Sequence, residues 1–336
     1  MKILTLAGIG WGLLSPAWAE VPNDAIRAAI EKSLPRIEQG AANYIKNRQC
    51  FSCHHQAMAM LSLSSAQERG FTVESVKIKQ QTEFTLDTFR PKKEQILKGA
   101  GVPGGNTMAA YALFALEAVG HAPDETTGLL VEYLLIRQKP DGSWPALAQR
   151  PPTEGSTFTN NALALRGLRQ FGLAKDTAGG ADRAARIEKA FQKGRAWLLQ
   201  NQPANTEDKM FRLQGLVAAR AEQQAIDDAR QELLKEQRED GSWAQLPSLA
   251  GDAYATGGVL VALRSAGLKV TDSAYQKGIH FLLAKQNPDG SWIVETRSRP
   301  VQIFFDNGDP GGKSQFISFA ATNWAILALL EAIPRK

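Results

Sequence analysis

Apolar residues along this chain recur every three or four positions in runs of helical length, and the runs come in pairs. One member of each pair ends in a segment such as "YLLIRQ", "ELLKEQ" or "FLLAKQ". The other opens soon afterwards as "TFTNNALALRGLRQFG", "DAYATGGVLVALRSAG" or "SQFISFAATNWAILALLEA". Glycine or a proline-bearing segment punctuates the ends of these runs, which marks them as separate helices joined by turns. No segment reads as a convincing strand. The pattern predicts an all-α chain of helical hairpins, with long outer helices and inner helices rich in Ala and Gly.

Three of the turns are near copies of one another: "RQKPDGSWP" at Arg137–Pro145, "EQREDGSWA" at Glu236–Ala244 and "KQNPDGSWI" at Lys285–Ile293. They share the pattern Q-x-x-D-G-S-W, with Trp144, Trp243 and Trp292 at its end. The last two tryptophans lie one repeat of about 50 residues apart and the first two lie about twice that, the mark of a stacked or closed repeat. Asp-Gly supplies a tight turn. The Trp covers the hairpin junction, and the Gln amide is placed to hold neighbouring backbone groups. Degenerate copies in "YIKNRQCFSCHHQAMAM", "ILKGAGVPGGNTMAAYALFALEAVG" and "WLLQNQPANTEDKMFRLQGLVAARA" fill the remaining places. Six hairpins result, with inner helices opening near His54, Thr107, Thr157, Thr206, Asp252 and Gln315.

Through these motifs the chain resembles the squalene cyclase and protein prenyltransferase superfamily, over about residues 23 to 333. The resemblance implies an (α/α)6 toroid, six hairpins closed around a lumen. It leaves the chemistry open, because that toroid serves cyclases, prenyltransferases, lanthionine-forming cyclases and non-catalytic binding domains. Class II terpene cyclases carry a D-x-D-D motif at the start of an inner helix, where clustered carboxylates keep one acid protonated and able to protonate an alkene. Here "STFTNNALAL" has Asn160 and Asn161 where acids are needed, and "GDAYATGG" has Asp252 alone, so proton-initiated squalene cyclisation is not expected. Those cyclases are also much longer two-domain chains. Prenyltransferase β subunits hold zinc through D-x-C-Y and a distant His, and Tyr254 stands where that Cys would fall. Asp252 and Tyr254 are retained as catalytic candidates across the lumen, Asp252 with the plain alternative of a helix N-cap.

Charge and leader narrow the setting. The net charge of +5 is scattered among acids and bases, so nucleic-acid binding has no footprint. Lys2, an apolar run from Ile3 to Leu14, and Ala17-Trp18-Ala19 form the layout of a secretory leader. Cleavage is expected after Ala19, leaving residues 20–336 as one toroid in the periplasm or another exported location, where disulfides persist and haem is attached covalently.

The chemistry concentrates in "RQCFSCHHQAMAM", which holds the only two cysteines, Cys50 and Cys53, beside His54 and His55. Cys50-Phe51-Ser52-Cys53-His54 matches C-x-x-C-H, the attachment signature of c-type haem, with His54 as proximal ligand. Met108 and His121 are then distal candidates. The main reading is a redox protein with haem c (iron), serving electron transfer or oxidation of an apolar molecule in the lumen, with a redox partner protein. Zinc held by Cys50, Cys53 and His54 or His55 is the alternative, giving a prenyltransferase- or cyclase-like enzyme. A Cys50–Cys53 disulfide, or cysteines that merely pack, would leave a module that binds a lipid or protein without catalysis. The stretch from Val301 to Ser318, with Phe304, Phe305, Asp306 and Asp309, reads either as lining a pocket or as a long hairpin loop on the ring end.

Overall fold

A computed structural model describes residues 20–172, 180–299 and 303–335, so the leader assigned to residues 1–19 lies outside the described residues. The described residues are helical, with one isolated antiparallel bridge between Arg150 and Glu154. The inner helices are α2 (Met58–Glu68), entered through a π-turn at Cys53–Ala57, α5 (Gly105–Ala118), α7 (Thr157–Phe171), α9 (Thr206–Ala218), α11 (Ala253–Ser265) and α13 (Gln315–Glu331). The outer helices are α1 (Asn23–Asn47), α3 (Ser75–Phe89), α6 (Glu125–Arg137), α8 (Gly180–Gln200), α10 (Gln223–Leu234) and α12 (Ser273–Lys285), and a short α4 (Lys93–Ile96) follows α3. Each inner helix packs on the next, and α13 returns to α2, so the ring is closed. This is the expected (α/α)6 toroid, and the inner helices begin within a few residues of the positions read from the sequence.

The longest outer helices, α1 and α8, are strongly amphipathic, whereas the inner helices α5 and α13 are apolar nearly all round because they are covered on almost every side. In α5 every residue from Gly105 to Leu116 is buried, and in α13 nearly all are. Small residues let the inner helices approach closely. A Cβ at Gly257 of α11 would collide with the backbone of Trp324 in α13.

The repeated motif joins one hairpin to the next. In each intact copy the indole N–H donates to a carbonyl ten residues earlier: Trp144 to Leu134, Trp243 to Leu233 and Trp292 to Leu282, at 2.7–2.8 Å. The Gln amide donates both within its turn and to the following outer helix. Gln138 reaches Gly142 and Ala190, Gln237 reaches Gly241 and Ala274, and Gln286 reaches Gly290 and Ala29. The Asp carboxylate accepts from the Ser two residues on, at Asp141, Asp240 and Asp289. The third copy closes the ring, since Ala29 belongs to the first helix of the chain.

The motif glycine is required twice over. Gly290 has φ 86°, in the left-handed region, and a Cβ there would press on the backbone carbonyl of Lys32 in α1. Gly290→Ala is therefore expected to lower stability by about 3 kcal/mol, from a strained backbone plus a clash that neither backbone can relieve. Denaturant unfolding followed by circular dichroism measures this, and a loss within ~0.5 kcal/mol would show that the closure tolerates a side chain.

Candidate functional site

The amino ends of the inner helices all face one end of the ring, which two long loops cover. Residues 138–156 run from α6 to α7, and the described residues 286–299 and 303–314 lie between α12 and α13. The loops meet where Ser298 Oγ donates to the Pro151 carbonyl at 2.8 Å, and Arg297 Nε donates to Gln245 Oε1 at 2.7 Å. The second loop is tied to α1 through Asn307, whose amide donates to Gly40 O and whose carbonyl accepts from Asn43. Beneath these loops lies a buried polar cluster in an otherwise apolar interior.

The centre of the cluster is Glu207, in the first turn of α9 and 5% exposed. Its Oε1 accepts from Tyr254 Oη and Thr159 Oγ1, both at 3.3 Å, while Oε2 has no partner. Burial pushes the Glu207 carboxyl well above the ordinary carboxylate value, Tyr254 and Thr159 oppose this by hydrogen bonding, and Asp208 adds to it. Asp208 is differently placed. It accepts from Ser156 Oγ at 2.6 Å, Ala204 N at 3.0 Å and Asn205 Nδ2 at 3.1 Å, so both its oxygens are engaged. Asn205 is the N-cap, accepting from Asp208 N. Tyr254 is buried, and its hydroxyl also meets the side chains of Thr153 and Trp324. Other buried polar atoms without partners include Tyr111 Oη and both amide atoms of Asn160.

Asn205-Thr206-Glu207-Asp208 thus occupies the opening of an inner helix with the spacing of D-x-D-D, Asn standing for the first Asp and Glu for the second. The sequence reading missed it because the segment lies in a degenerate repeat and a longer acid stands in the middle. Paired acids after an N-capping Asn at an inner-helix start were the available signal. Asp252 caps α11, with Oδ1 accepting from Ala255 N at 2.9 Å and Oδ2 from Gln245 Nε2 at 2.9 Å. Met108 folds back against Gly104 at the start of its own helix. His121 lies at the other end of α5, 3.1 Å from Asp124.

The cysteine and histidine segment sits at the same end of the ring but is differently used. Cys53 is fully buried and donates to Glu154 Oε1 at 3.3 Å; Glu154 is also paired with Arg150. Burial, then the nearby Glu154 carboxylate, push the Cys53 thiol well up. His55 Nε2 lies 2.8 Å from Asp309 Oδ2, which also accepts from Asn307 Nδ2 at 2.6 Å. His55 is held between Phe319 and Tyr44, stacked at 4.1 and 4.9 Å. Its Nδ1 is 2.5 Å from His54 Nδ1, and His54 stacks on Phe316 at 5.0 Å. With His55 Nε2 donating to the carboxylate, its Nδ1 accepts and His54 Nδ1 donates. Burial is the largest cause holding both imidazoles below their ordinary value, against the pull of Asp309 on His55.

These contacts do not fit haem c. The helical turn begins only at Cys53, after an extended Ser52, so the two thiols do not share one turn. A thioether at Cys53 would also displace its bond to the buried Glu154. They do not fit the zinc set either. Both ring nitrogens of His55 are engaged, and among the described residues no three of His, Cys, Asp and Glu are grouped to hold a metal ion.

Comparison with known proteins points the same way. The family model for the squalene-hopene cyclase C-terminal domain matches residues 191–335, which include Glu207 and Tyr254. Lanosterol synthase erg7A from Aspergillus fumigatus is 35% identical over 109 residues, 32% of this chain and 13% of that enzyme, so the match spans a small part of the relative. Type II terpene cyclase MstE from Scytonema superposes with a TM-score of 0.58 at 15% identity, over 94% of this chain and 99% of MstE. An ent-copalyl diphosphate synthase from Streptomyces platensis gives 0.55 at 20% identity, over 82% of this chain and 50% of its own. The cyclase matches overturn the haem, iron and redox-partner reading drawn from C-x-x-C-H.

The buried histidines give a pH signature. Their folded values lie below the ordinary 6.5, so below that pH the unfolded chain binds more protons than the folded one. Stability is expected to fall as pH drops below about 6.5, and the double variant His54→Gln, His55→Gln should lose part of that slope. Melting temperatures from pH 7.5 to 5 test this, and identical slopes would show that the two histidines protonate freely in the fold.

Proposed function

We propose that the chain, similar to the squalene-hopene cyclase C-terminal domain over residues 191–335 and to terpene cyclases in fold, is a class II type cyclase that starts the reaction by protonating an alkene of an apolar prenyl substrate, with Glu207 as the proton donor. The observation that carries the reading is a buried carboxyl whose proton affinity is raised by burial and which leaves one oxygen unpaired, at the start of an inner helix beside a fully hydrogen-bonded Asp208. A general acid must keep its proton at working pH and present it to the substrate. Burial does the first. The free Oε2 does the second, while Tyr254 and Thr159 hold Oε1 and orient the group.

In this step the O–H bond of Glu207 breaks, the alkene π pair forms a C–H bond, and a tertiary carbocation results. Internal alkenes attack in turn, each supplying the π pair for a new C–C bond. Loss of a proton from the last cation, or capture of water, ends the sequence, and the Glu207 carboxylate is reprotonated for the next turnover. Positive charge in a dry lumen favours aromatic faces over polar groups. Tyr111, Phe211, Tyr254 and Trp324 are all buried there, with the Phe211 and Trp324 rings edge to face at 6.3 Å. An apolar substrate is in keeping with MstE, solved with geranylgeranyl dihydroxybenzoate as substrate and merosterolic acid A as product. The leader of residues 1–19 supports an exported location for this activity.

Glu207→Gln preserves shape and removes the proton, and is expected to lower cyclisation at least ~100-fold. Product formation from a linear geranylgeranyl substrate, followed by mass spectrometry, is the measurement, and near wild-type turnover would sink the assignment. Activity of the native protein should decline as pH rises through the elevated value of Glu207. Stability should follow the same group. Between the ordinary value of 4.5 and the folded value, the folded state holds a proton the unfolded chain has released, so stability falls as pH rises. Glu207→Gln is expected to melt higher than wild type at pH 8 and equally at pH 4.

A further inference from the structure

The second long loop brings a cation to the Glu207 end of the lumen. Arg297 Nε donates to Gln245 Oε1 at 2.7 Å, and Gln245 is itself only 4% exposed. Gln245 is anchored to both of the neighbouring helix starts. Its Nε2 donates to Asp252 Oδ2 at the cap of α11, and its backbone carbonyl accepts from Thr206 N at 3.4 Å, in the residue before Glu207. Thr206 Oγ1 donates to the Ala244 carbonyl at 2.6 Å, so the opening of α9 is laced to the segment that holds Arg297. Ser298, the next residue of the loop, is fixed by the Pro151 carbonyl.

Arg297 differs from the cation of the other loop. Arg150 is neutralised by Glu154, its own neighbour. Arg297 has an amide oxygen for its Nε, and among the described residues no carboxylate lies within ion-pair distance of it. Its charge falls instead on two acids at the helix starts, Glu207 and Asp252, and draws both down against the upward push of burial. The other titratable groups round Glu207 are Asp208 on α9, Tyr254 on α11 and Tyr111 on α5, with Cys53 and Glu154 acting in turn on Tyr111. The contacts from α7 and α13 are the uncharged Thr159 and, through Tyr254, Trp324. None of these is a cation. When the O–H bond of Glu207 breaks, the proton goes to an alkene carbon and the electron pair stays on the carboxyl, so a buried site that held a neutral acid must then hold an anion.

We propose that Arg297 is an auxiliary residue of the acid site, a loop-borne guanidinium held in place by Gln245 that stabilises the Glu207 carboxylate left by proton transfer. This role rests on the reading of Glu207 as proton donor. A fixed charge aimed at the place where charge develops lowers a barrier without reorganising at the moment of reaction, and it acts more strongly in a buried site than in water. A neutral carboxyl gains little from the cation, whereas the anion gains much, so the interaction grows as the proton leaves. Burial and Arg297 therefore divide the task. Burial keeps the proton on Glu207 until substrate arrives, and the guanidinium prevents the same burial from making the acid too weak to give it up.

Two substitutions in the full chain separate charge from latch. Arg297→Met and Arg297→Lys both remove the Nε bond to Gln245, and only the first removes the charge. With a linear geranylgeranyl substrate, Arg297→Met is expected to lower kcat about tenfold and to move the decline of activity with rising pH to higher pH. Arg297→Lys should stay within about threefold of wild type, with that decline in place. Melting temperatures from pH 4 to 9 read the same interaction without turnover. Losing the cation raises the pH at which folded Glu207 releases its proton, so Arg297→Met should lose more stability than wild type towards the alkaline end, and the difference should vanish when both chains carry Glu207→Gln. Equal damage by Met and Lys with an unmoved pH profile, or a melting difference that survives Glu207→Gln unchanged, would overturn the role of Arg297 and leave a plain loop latch, with Glu207 still the donor. A melting difference that does depend on Glu207, in a protein whose native form yields no cyclic product, would instead overturn Glu207 as donor and leave its pairing with Arg297 standing.

Discussion

The ring stands on one repeated contact, the hydrogen bonds from a motif Gln to the carbonyl of the next outer helix, made around a glycine that lets the two backbones touch. Gln138 joins the motif turn to α8, Gln237 joins its turn to α12, and Gln286 joins the last turn to α1. Neighbouring repeats can be added one at a time in a solenoid, but a toroid must also close. That last junction is made by Gln286, Gly290 and Ser33, whose hydroxyl donates to the Gly290 carbonyl at 2.5 Å. The contact lies between residues more than 250 apart, so it ties the two ends of the ring together and holds the whole circumference in place.

Closure gives the two ends of the lumen different physics. All inner helices run the same way, so their amino ends converge on one end and their carboxyl ends on the other. The long loops fold over the amino ends, and the polar cluster beneath them is buried. The short loops leave the carboxyl ends open around a cavity lined by Arg166, Gln214 and Arg264. The acid whose proton affinity burial raises is therefore found at the covered end, and an open cavity at the other.

The repeat made the fold legible. Three intact motifs fixed the hairpin period, and the small residues of the inner helices followed, so element order and helix starts could be read directly. The site was harder because its members come from different repeats. Glu207, Tyr254, Thr159 and Trp324 sit on four inner helices, and nothing local marks their meeting. C-x-x-C-H was the reverse case, a strong local pattern read without its surroundings. In the fold, Cys53 turns to Glu154, and the chain from Asp309 through His55 to His54 braces the first hairpin against the loop before α13. Asp252 illustrates the same limit, since an acid at a helix start is most simply a cap.

Glu207 and Asp208 are adjacent in sequence, yet they are hydrogen-bonded very differently. Asp208 has three donors, which is how a buried carboxylate is made tolerable. Glu207 has two weak hydroxyl contacts and one bare oxygen, so burial outweighs its hydrogen bonds. Each tenfold rise in its proton affinity corresponds to about 1.4 kcal/mol of folding free energy forgone at high pH, which a fully hydrogen-bonded acid would have kept. The surrounding fold has to offset that cost, and its extensive buried apolar core supplies the stabilisation. A closed barrel of inner helices is thus the condition for an under-bonded acid in its interior, because it buries the bare oxygen on every side.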